Sequence, residues 1–98
     1  MGSDYLYIQQ AEMLKKIGHP VRLCILHELI NRGSCQVSEL CNILGIPQST
    51  VSQHLGILKI IHVVSYKGAG TIKMYKVCNE DVKKIINILL KENKIISL

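Results

Sequence analysis

The sequence predicts a small, mainly α-helical domain that carries one β-hairpin. Two observations support this prediction: apolar residues recur at helical spacing in several segments, and two short stretches rich in Val, Tyr and Ile flank a glycine-containing tip. The chain has 98 residues, so we expect residues 1–98 to form a single domain. Hydrophobic residues make up 48% of it, which is enough for a core and argues against disorder.

Two helices are predicted in the first third of the chain. Apolar residues from Tyr7 to Ile17 predict a helix over residues 5–17. The sequence "GHP" at residues 18–20 ends it, because proline disfavours helix in the residue before it and suits the first turn of the next helix. The second helix ends near Arg32 and carries the apolar residues Leu23, Leu26, Leu29 and Ile30.

The middle of the chain predicts two more helices joined by a tight turn. The sequence "SCQV" is a short extended piece, and a third helix follows over residues 38–44. After the turn "GIP", a fourth helix over residues 48–59 is indicated by Val51, Leu55 and Leu58, which recur at i, i+4 and i+7.

The last third of the chain predicts a hairpin and a final helix. The sequences "HVVSY" and "IKMYKV" are typical of strands, and "KGAGT" between them forms a flexible tip. Asn79 is the predicted cap of a helix over residues 80–94, with Glu80 and Asp81 favourably placed in its first turn. The order α-α-β-α-α-β-β-α is that of a winged helix-turn-helix.

The fourth helix has an unusual outer face. Ordinary surface helices carry Lys and Glu there, whereas this one carries side chains that both donate and accept hydrogen bonds. In a helix-turn-helix the second helix enters the major groove of DNA, where Gln can read adenine and the Thr methyl can contact thymine. The alternative is a solvated polar face without a partner. The candidate DNA-binding residues on this face are Gln48, Ser49, Thr50, Ser52, Gln53 and His54.

Basic residues supply candidate contacts to DNA phosphates. The net charge is +5, which favours a polyanionic partner. Lys67 and Lys73 flank the glycines of the hairpin, from which they can reach the DNA backbone, although a solvated hairpin tip is the alternative. Arg22 and Lys59, at the base of the helices, are further phosphate candidates.

Three blocks of sequence resemble the ArsR/SmtB family of winged-helix repressors. They are "LKKIGHPVRLCILHEL", "VSELCNILGIPQSTVSQHLGILK" and "YKGAGTIKMYKV", and the resemblance spans about residues 12–78. The short length and "PQSTVSQHL" look like the branch of small Bacillus virulence-plasmid repressors. The resemblance implies a homodimer paired through its first and last helices. Such a dimer represses transcription by covering a palindromic operator until an effector weakens DNA binding.

The residues themselves agree with pairing through the two end helices. Residues 5–17 and 80–94 are both amphipathic, and Ile88, Ile95 and Ile96 exceed what one apolar stripe needs. The alternative is that both stripes cap the core of the same protomer. A dimer would also help a chain this short to bury more of its surface.

The metal sites of the family are incomplete here. One needs Cys-x-Cys on the third helix, where this chain has Cys41 but Ile43 in the second position. The other needs Asp and His pairs on the last helix, which has Glu80 and Asp81 and no His. The histidines His19, His27, His54 and His62 are scattered, so we expect no metal, no cofactor and no obligatory small-molecule ligand. A repressor with a non-standard metal site remains an alternative.

Four cysteines make thiol oxidation a second candidate signal. The redox candidates are Cys24, Cys35, Cys41 and Cys78. In a winged helix the short strand at Cys35 lies beside the end of the hairpin at Cys78, so this cross-strand pair can lie within the Cα separation of a disulfide, while the direction of the two side chains is left open by the sequence. The alternative is that each thiol is a small buried hydrophobe.

Other classes of protein are disfavoured by what the sequence lacks. It has no apolar run long enough to span a membrane and no signal-peptide layout, so a cytoplasmic protein with reduced thiols is expected. No nucleophile motif or phosphate-binding loop indicates an enzyme. A winged-helix module that binds proteins instead of DNA is the remaining rival.

Overall fold

A computed structural model describes residues 4–90, which form five helices and one antiparallel hairpin. The elements, in chain order, are α1 (Asp4–Ile17), α2 (Pro20–Arg32), α3 (Val37–Leu44), α4 (Gln48–Ile60), β1 (Val64–Lys67), a 3₁₀ turn (Gly70–Ile72), β2 (Met74–Val77) and α5 (Glu80–Leu90). This is the predicted winged helix-turn-helix, so the predicted fold class is confirmed. Residues 91–94 of the predicted last helix, with Ile95 and Ile96, lie outside the described residues.

One hydrophobic core lies between the helices and one face of the hairpin. The helix α4 contributes Val51, Leu55 and Leu58, which are the apolar positions that its sequence spacing predicts. The helix α1 contributes only Ile17, at its last position. The buried core residues are Ile17, Ile25, Leu26, Leu29, Cys35, Leu40, Val51, Leu55, Leu58, Val63, Val64, Val77, Val82 and Ile86.

The helix ends follow the local chemistry of the sequence. Pro20 occupies the first turn of α2, and the side chain of His19 caps that helix by accepting a 3.1 Å hydrogen bond from Val21 N–H. Asn79 caps α5 as predicted, because its Oδ1 accepts a 3.0 Å hydrogen bond from Val82 N–H. The helix α3 begins one residue earlier than expected, at Val37. The Glu39 side chain accepts a 3.0 Å bond from Gln36 N–H just before it.

The hairpin is the wing, and its root is attached to the segment before α3. Strands β1 and β2 pair in the register Val64 with Val77 and Lys67 with Met74. The short extended piece predicted at "SCQV" is a single bridge, in which Cys35 and Tyr75 exchange two backbone hydrogen bonds of 2.9 Å. Strand β1 begins two residues later than predicted because residues 61–63 form the turn after α4, and β2 begins two residues later because the tip folds into the 3₁₀ turn.

Gly68 is required at the turn that leaves β1. Its φ is +99°, and a Cβ at this position would lie 2.5 Å from the carbonyl oxygen of Ile72. An L side chain is disfavoured there both by the backbone conformation and by the close approach of that carbonyl. The glycine-containing tip recognised in the sequence is therefore set by a steric requirement at Gly68.

The prediction that Cys35 and Cys78 lie within disulfide distance is wrong. Cys35 is opposite Tyr75, and Cys78 is three residues further along, which is about 10 Å of extended chain. An odd offset also places the two side chains on opposite faces of the hairpin. Cys35 is buried, whereas Cys78 is exposed and its Sγ donates a 3.5 Å hydrogen bond to the carbonyl of His62.

Candidate nucleic-acid interface

The helix α4 presents its polar face to solvent because its apolar face is fixed in the core. Val51, Leu55 and Leu58 have no exposed surface, which fixes the rotation of the helix about its axis. The opposite face is exposed at Gln48, Ser49, Ser52 and Gln53, while Thr50 and His54 are half-buried. The first N–H groups of a helix have no partner within it, so the exposed start of α4 adds further donors.

A groove runs between the start of α3, the start of α4 and the wing. It brings together two exposed residues of α4, Lys73 of the wing, and Gln36, Ser38 and Thr71, which the sequence did not indicate as DNA contacts. Gln36 and Ser38 could have been found from their position at the start of α3, because the start of a helix attracts anions, and Thr71 from its position in the wing tip. The polar residues that line the groove are Gln36, Ser38, Gln48, Ser52, Thr71 and Lys73.

His54 and Arg22 lie together in a hydrogen-bonded network instead of standing free. Arg22 Nε donates to His54 Nδ1 at 3.1 Å, and Arg22 Nη1 donates to the carbonyl of Lys16 at 3.0 Å. The His19 ring lies 4.9 Å from the His54 ring. Burial, the Arg22 charge and His19, in that order, lower the pKa of His54, which suits an imidazole that accepts a hydrogen bond.

Two of the predicted phosphate contacts meet on one aromatic ring. The ammonium groups of Lys59 and Lys73 lie 4.5 Å and 4.6 Å from the centroid of the Tyr66 ring. Lys59 Nζ also donates a 3.5 Å hydrogen bond to the Tyr66 hydroxyl. That bond, followed by the charges of Lys59 and Lys73, lowers the pKa of Tyr66. Lys67 is exposed at the end of β1, and Tyr66 was not selected from the sequence.

Comparison with known proteins decides the family. Residues 19–66 match the family described as "Bacterial regulatory protein, arsR family". An uncharacterized HTH-type transcriptional regulator of Methanocaldococcus jannaschii is 39% identical over 83 residues, which cover 85% of this chain and 93% of that protein. The chain belongs to the arsR family of bacterial regulatory proteins. The resemblance that the sequence motifs indicated is confirmed.

Repressors of known structure share both the sequence and the fold of this arsR-family chain. The transcriptional repressor PagR of Bacillus anthracis is 37% identical over 87 residues, covering 88% of this chain and 87% of PagR. Its crystal structure superposes with a TM-score of 0.79 at 36% identity, over 89% of this chain and 100% of that chain. The chain is thus a DNA-binding transcriptional repressor of the arsR family, whose members are regulators and not enzymes. The alternative of a winged-helix module that binds proteins instead of DNA is therefore rejected.

A second exposed surface of this arsR-family protein is apolar. It consists of side chains on the outer faces of α1 and α5, and we call it the end-helix surface. Tyr5 is 73% exposed and Ile88 is 72% exposed, so neither belongs to the core of its own protomer. The apolar stripe predicted on the first helix faces outward everywhere except near Met13 and Ile17. The exposed members of the end-helix surface are Tyr5, Leu6, Tyr7, Ile8, Leu14, Ile88 and Leu89.

The four cysteines of this arsR-family protein are in different environments. Cys24 and Cys78 are exposed, Cys41 is half-buried and Cys35 is buried. Burial and the neighbouring Glu39 raise the pKa of the Cys35 thiol, which disfavours its reactive thiolate form. Within residues 4–90, no three His, Cys, Asp or Glu side chains cluster as metal ligands do. No helix in that part of the chain is long and apolar enough to cross a bilayer.

Proposed function

We propose that the protein is a homodimer that represses transcription by binding a palindromic operator, with one α4 helix in the major groove of each half-site. The observation that carries this proposal is the exposed polar face of α4, held outward by the buried side chains on its opposite face. Gln, Ser and Thr at the start of such a helix reach base edges, and the basic wing beside it reaches the backbone.

The end-helix surface supports the dimer. Its apolar side chains are exposed in the protomer, where α1 contributes only Ile17 to the core and α5 contributes Val82 and Ile86. Burying such a surface against a second copy removes apolar area from water. A homodimeric winged helix-turn-helix domain from Mycobacterium bovis superposes with a TM-score of 0.76 at 28% identity, over 87% of this chain and 78% of that chain. Residues 5–17 and 80–94 are accordingly our proposed dimerisation helices.

A dimer determines the symmetry of the DNA that it binds. A two-fold axis relates the two α4 helices, so the half-sites must be related by the same axis. In helix-turn-helix dimers the half-site centres lie about one turn of DNA apart, roughly 34–36 Å. Gel-shift titration of the protein on its own promoter region, with random duplex as competitor, tests the whole proposal. Absence of any preferred duplex would refute it.

Base reading and backbone binding are expected to separate by mutation. Gln53→Ala and Ser49→Ala should each reduce the preference for operator over random DNA by roughly 1–3 kcal/mol, because each removes an exposed base-facing group. Lys67→Ala should weaken binding to both DNAs alike and reduce the salt slope by about 1. Fluorescence anisotropy over a salt series measures both quantities. Equal losses on the two DNAs from Gln53→Ala would contradict its role in base reading.

We propose that the repressor works without a metal ion and responds instead to oxidation of exposed thiols. The inherited metal positions hold Ile43 on α3 and no His on the described part of α5. Cys24 and Cys78 are exposed to oxidant without unfolding, while Cys35 is protected by burial. The half-buried Cys41 is the next candidate for oxidation after these two exposed thiols.

Oxidation is therefore expected to modify Cys24 and Cys78 before Cys35. After treatment with diamide and glutathione, peptide mass spectrometry should show the added glutathione on those two exposed thiols. The affinity of the oxidised wild type for operator should fall by about 5-fold or more, a coupling typical of allostery. The double variant Cys24→Ser and Cys78→Ser should keep its affinity. Unchanged binding by the fully oxidised wild type would rule out a redox response.

A further inference from the structure

Tyr66 occupies a junction between the recognition helix and the wing. It lies on β1, and its ring contacts Lys59 from the last turn of α4 and Lys73 from the residue before β2. The ring also packs on Tyr75 across the hairpin, with the two centroids 5.2 Å apart. Tyr75 is in turn bridged to Cys35 through two backbone hydrogen bonds. The Tyr66 ring is therefore held by its own sheet while it contacts two cationic side chains from other parts of the fold.

We propose that Tyr66 is a positioning residue that holds Lys59 and Lys73 together as one binding site for the phosphate backbone of DNA. The proposal rests on the duplex binding proposed above and assigns it a site that joins α4 to the wing. We call Tyr66, Lys59 and Lys73 the tyrosine clamp. Its ligand is a backbone phosphate, because lysine ammonium groups bind phosphate oxygens as point charges and carry no base sequence information.

The charges of the tyrosine clamp are available for an anion. In the described part of the chain the ion pairs are Arg32 with Glu28 and Lys83 with Glu80, so neither lysine of the clamp is neutralised by a carboxylate there. A ring contact leaves ammonium N–H donors free, since each ammonium carries three. Lys59 is exposed, and Lys73 is half-buried, so the outward side of both remains open to a phosphate.

The ring contributes by restricting the two lysines before DNA arrives. A free lysine side chain loses much rotamer entropy when it is fixed on a ligand. Contact with an aromatic face at exposed sites stabilises one ammonium position by about 0.5–1 kcal/mol, equivalent to about 2- to 5-fold in affinity. Because one ring serves both lysines, the contribution of each lysine to DNA binding is expected to depend on Tyr66.

A double-mutant cycle tests this dependence. Operator affinity is measured by anisotropy over a salt series for Y66L, Y66F, K59M, K73M and the combinations of Y66L with each lysine change. We expect Y66L to raise the dissociation constant about 2- to 5-fold, and Y66F to raise it less, because Y66F keeps the ring that both lysines contact and loses only the hydroxyl that accepts the 3.5 Å bond from Lys59. K59M and K73M should each cost less in the Y66L background than in the wild type. K76M is the matched control, because Lys76 is exposed on β2 but faces away from Tyr66, and its cost should be the same in both backgrounds.

A spectroscopic readout separates the clamp from a merely structural role of Tyr66. The ε-methylene protons of Lys59 and Lys73 should show ring-current shifts in wild type and Y66F that disappear in Y66L, while thermal unfolding confirms that all variants fold. Equal costs of the lysine changes in the two backgrounds, with wild type bound to operator, would overturn the clamp alone. Failure of wild type to bind any duplex would overturn the proposed function and the clamp with it.

Discussion

Replacing Ile88 by Asp is expected to produce a folded monomer whose operator affinity is lower by about 10²–10⁴-fold, the gain that linking two binding sites normally provides. The Ile88 side chain is 72% exposed in the protomer, so the change leaves the core intact. In the proposed dimer the same side chain is buried, and an unpaired carboxylate there would have to be desolvated. The dimer should therefore dissociate before the protomer unfolds.

Analytical ultracentrifugation at micromolar concentration and anisotropy on operator DNA measure the two parts of this prediction. Asn87→Asp is the matched control, because it adds the same charge to the neighbouring exposed position of α5. The control accounts for any effect of an acidic residue near the end of a helix. If the I88D variant remains dimeric, or if wild type is itself monomeric, the end-helix surface does not mediate dimerisation.

Leu55→Ala is expected to lower the free energy of unfolding by about 2–5 kcal/mol, because it leaves a cavity beneath the recognition helix. Leu55 has no exposed surface and lies between Val51 and Leu58 on the buried face of α4. A small domain is stable by only about 5–15 kcal/mol, so this loss is a large fraction of the total. DNA binding should weaken less than stability at low temperature, because the exposed face is unchanged.

Urea unfolding followed by circular dichroism gives the measurement, at one fixed protein concentration because association stabilises the folded state. Gln53→Ala on the opposite face of α4 serves as the comparison, and its free energy of unfolding should change by no more than about 0.5 kcal/mol. Similar destabilisation by both variants would show that α4 is not oriented as described, with Leu55 inward and Gln53 outward.

Most of the fold was predictable because the periodic signals are local. Proline at "GHP" marks the boundary between the first two helices, and the Asn79 side chain caps the last helix. Each signal lies within a few residues of the helix end that it determines. The polar face of α4 was predictable for the same reason, since one helix face is read from its own spacing. The 3₁₀ turn at Gly70–Ile72 was not predicted, because glycine allows many backbone conformations and the sequence of the tip does not select one of them.

The sequence did not predict which residues from distant parts of the chain contact each other. Arg22 and His54 were both selected as DNA contacts, yet they bond to each other across 32 positions, which uses two of the five Arg22 donors. The neighbour of Cys35 depends on which residue of β2 it pairs with, which the sequence does not show. In the structure Cys35 pairs with Tyr75 and does not lie beside Cys78. Tyr66 was overlooked because its importance comes from lysines on two other elements.

The bridge between Cys35 and Tyr75 also bears on how the chain folds and opens. Its two hydrogen bonds close a long loop that contains all of α3, α4 and β1, so loop-closure entropy disfavours forming it before those helices have packed. The wing root should therefore be acquired late in folding. Once formed, the amides of Cys35 and Tyr75 should exchange with solvent deuterium only when the helix-turn-helix itself opens, whereas amides of the tip should exchange freely. We therefore expect the base of the wing to open together with the helix-turn-helix and the tip to unfold locally on its own.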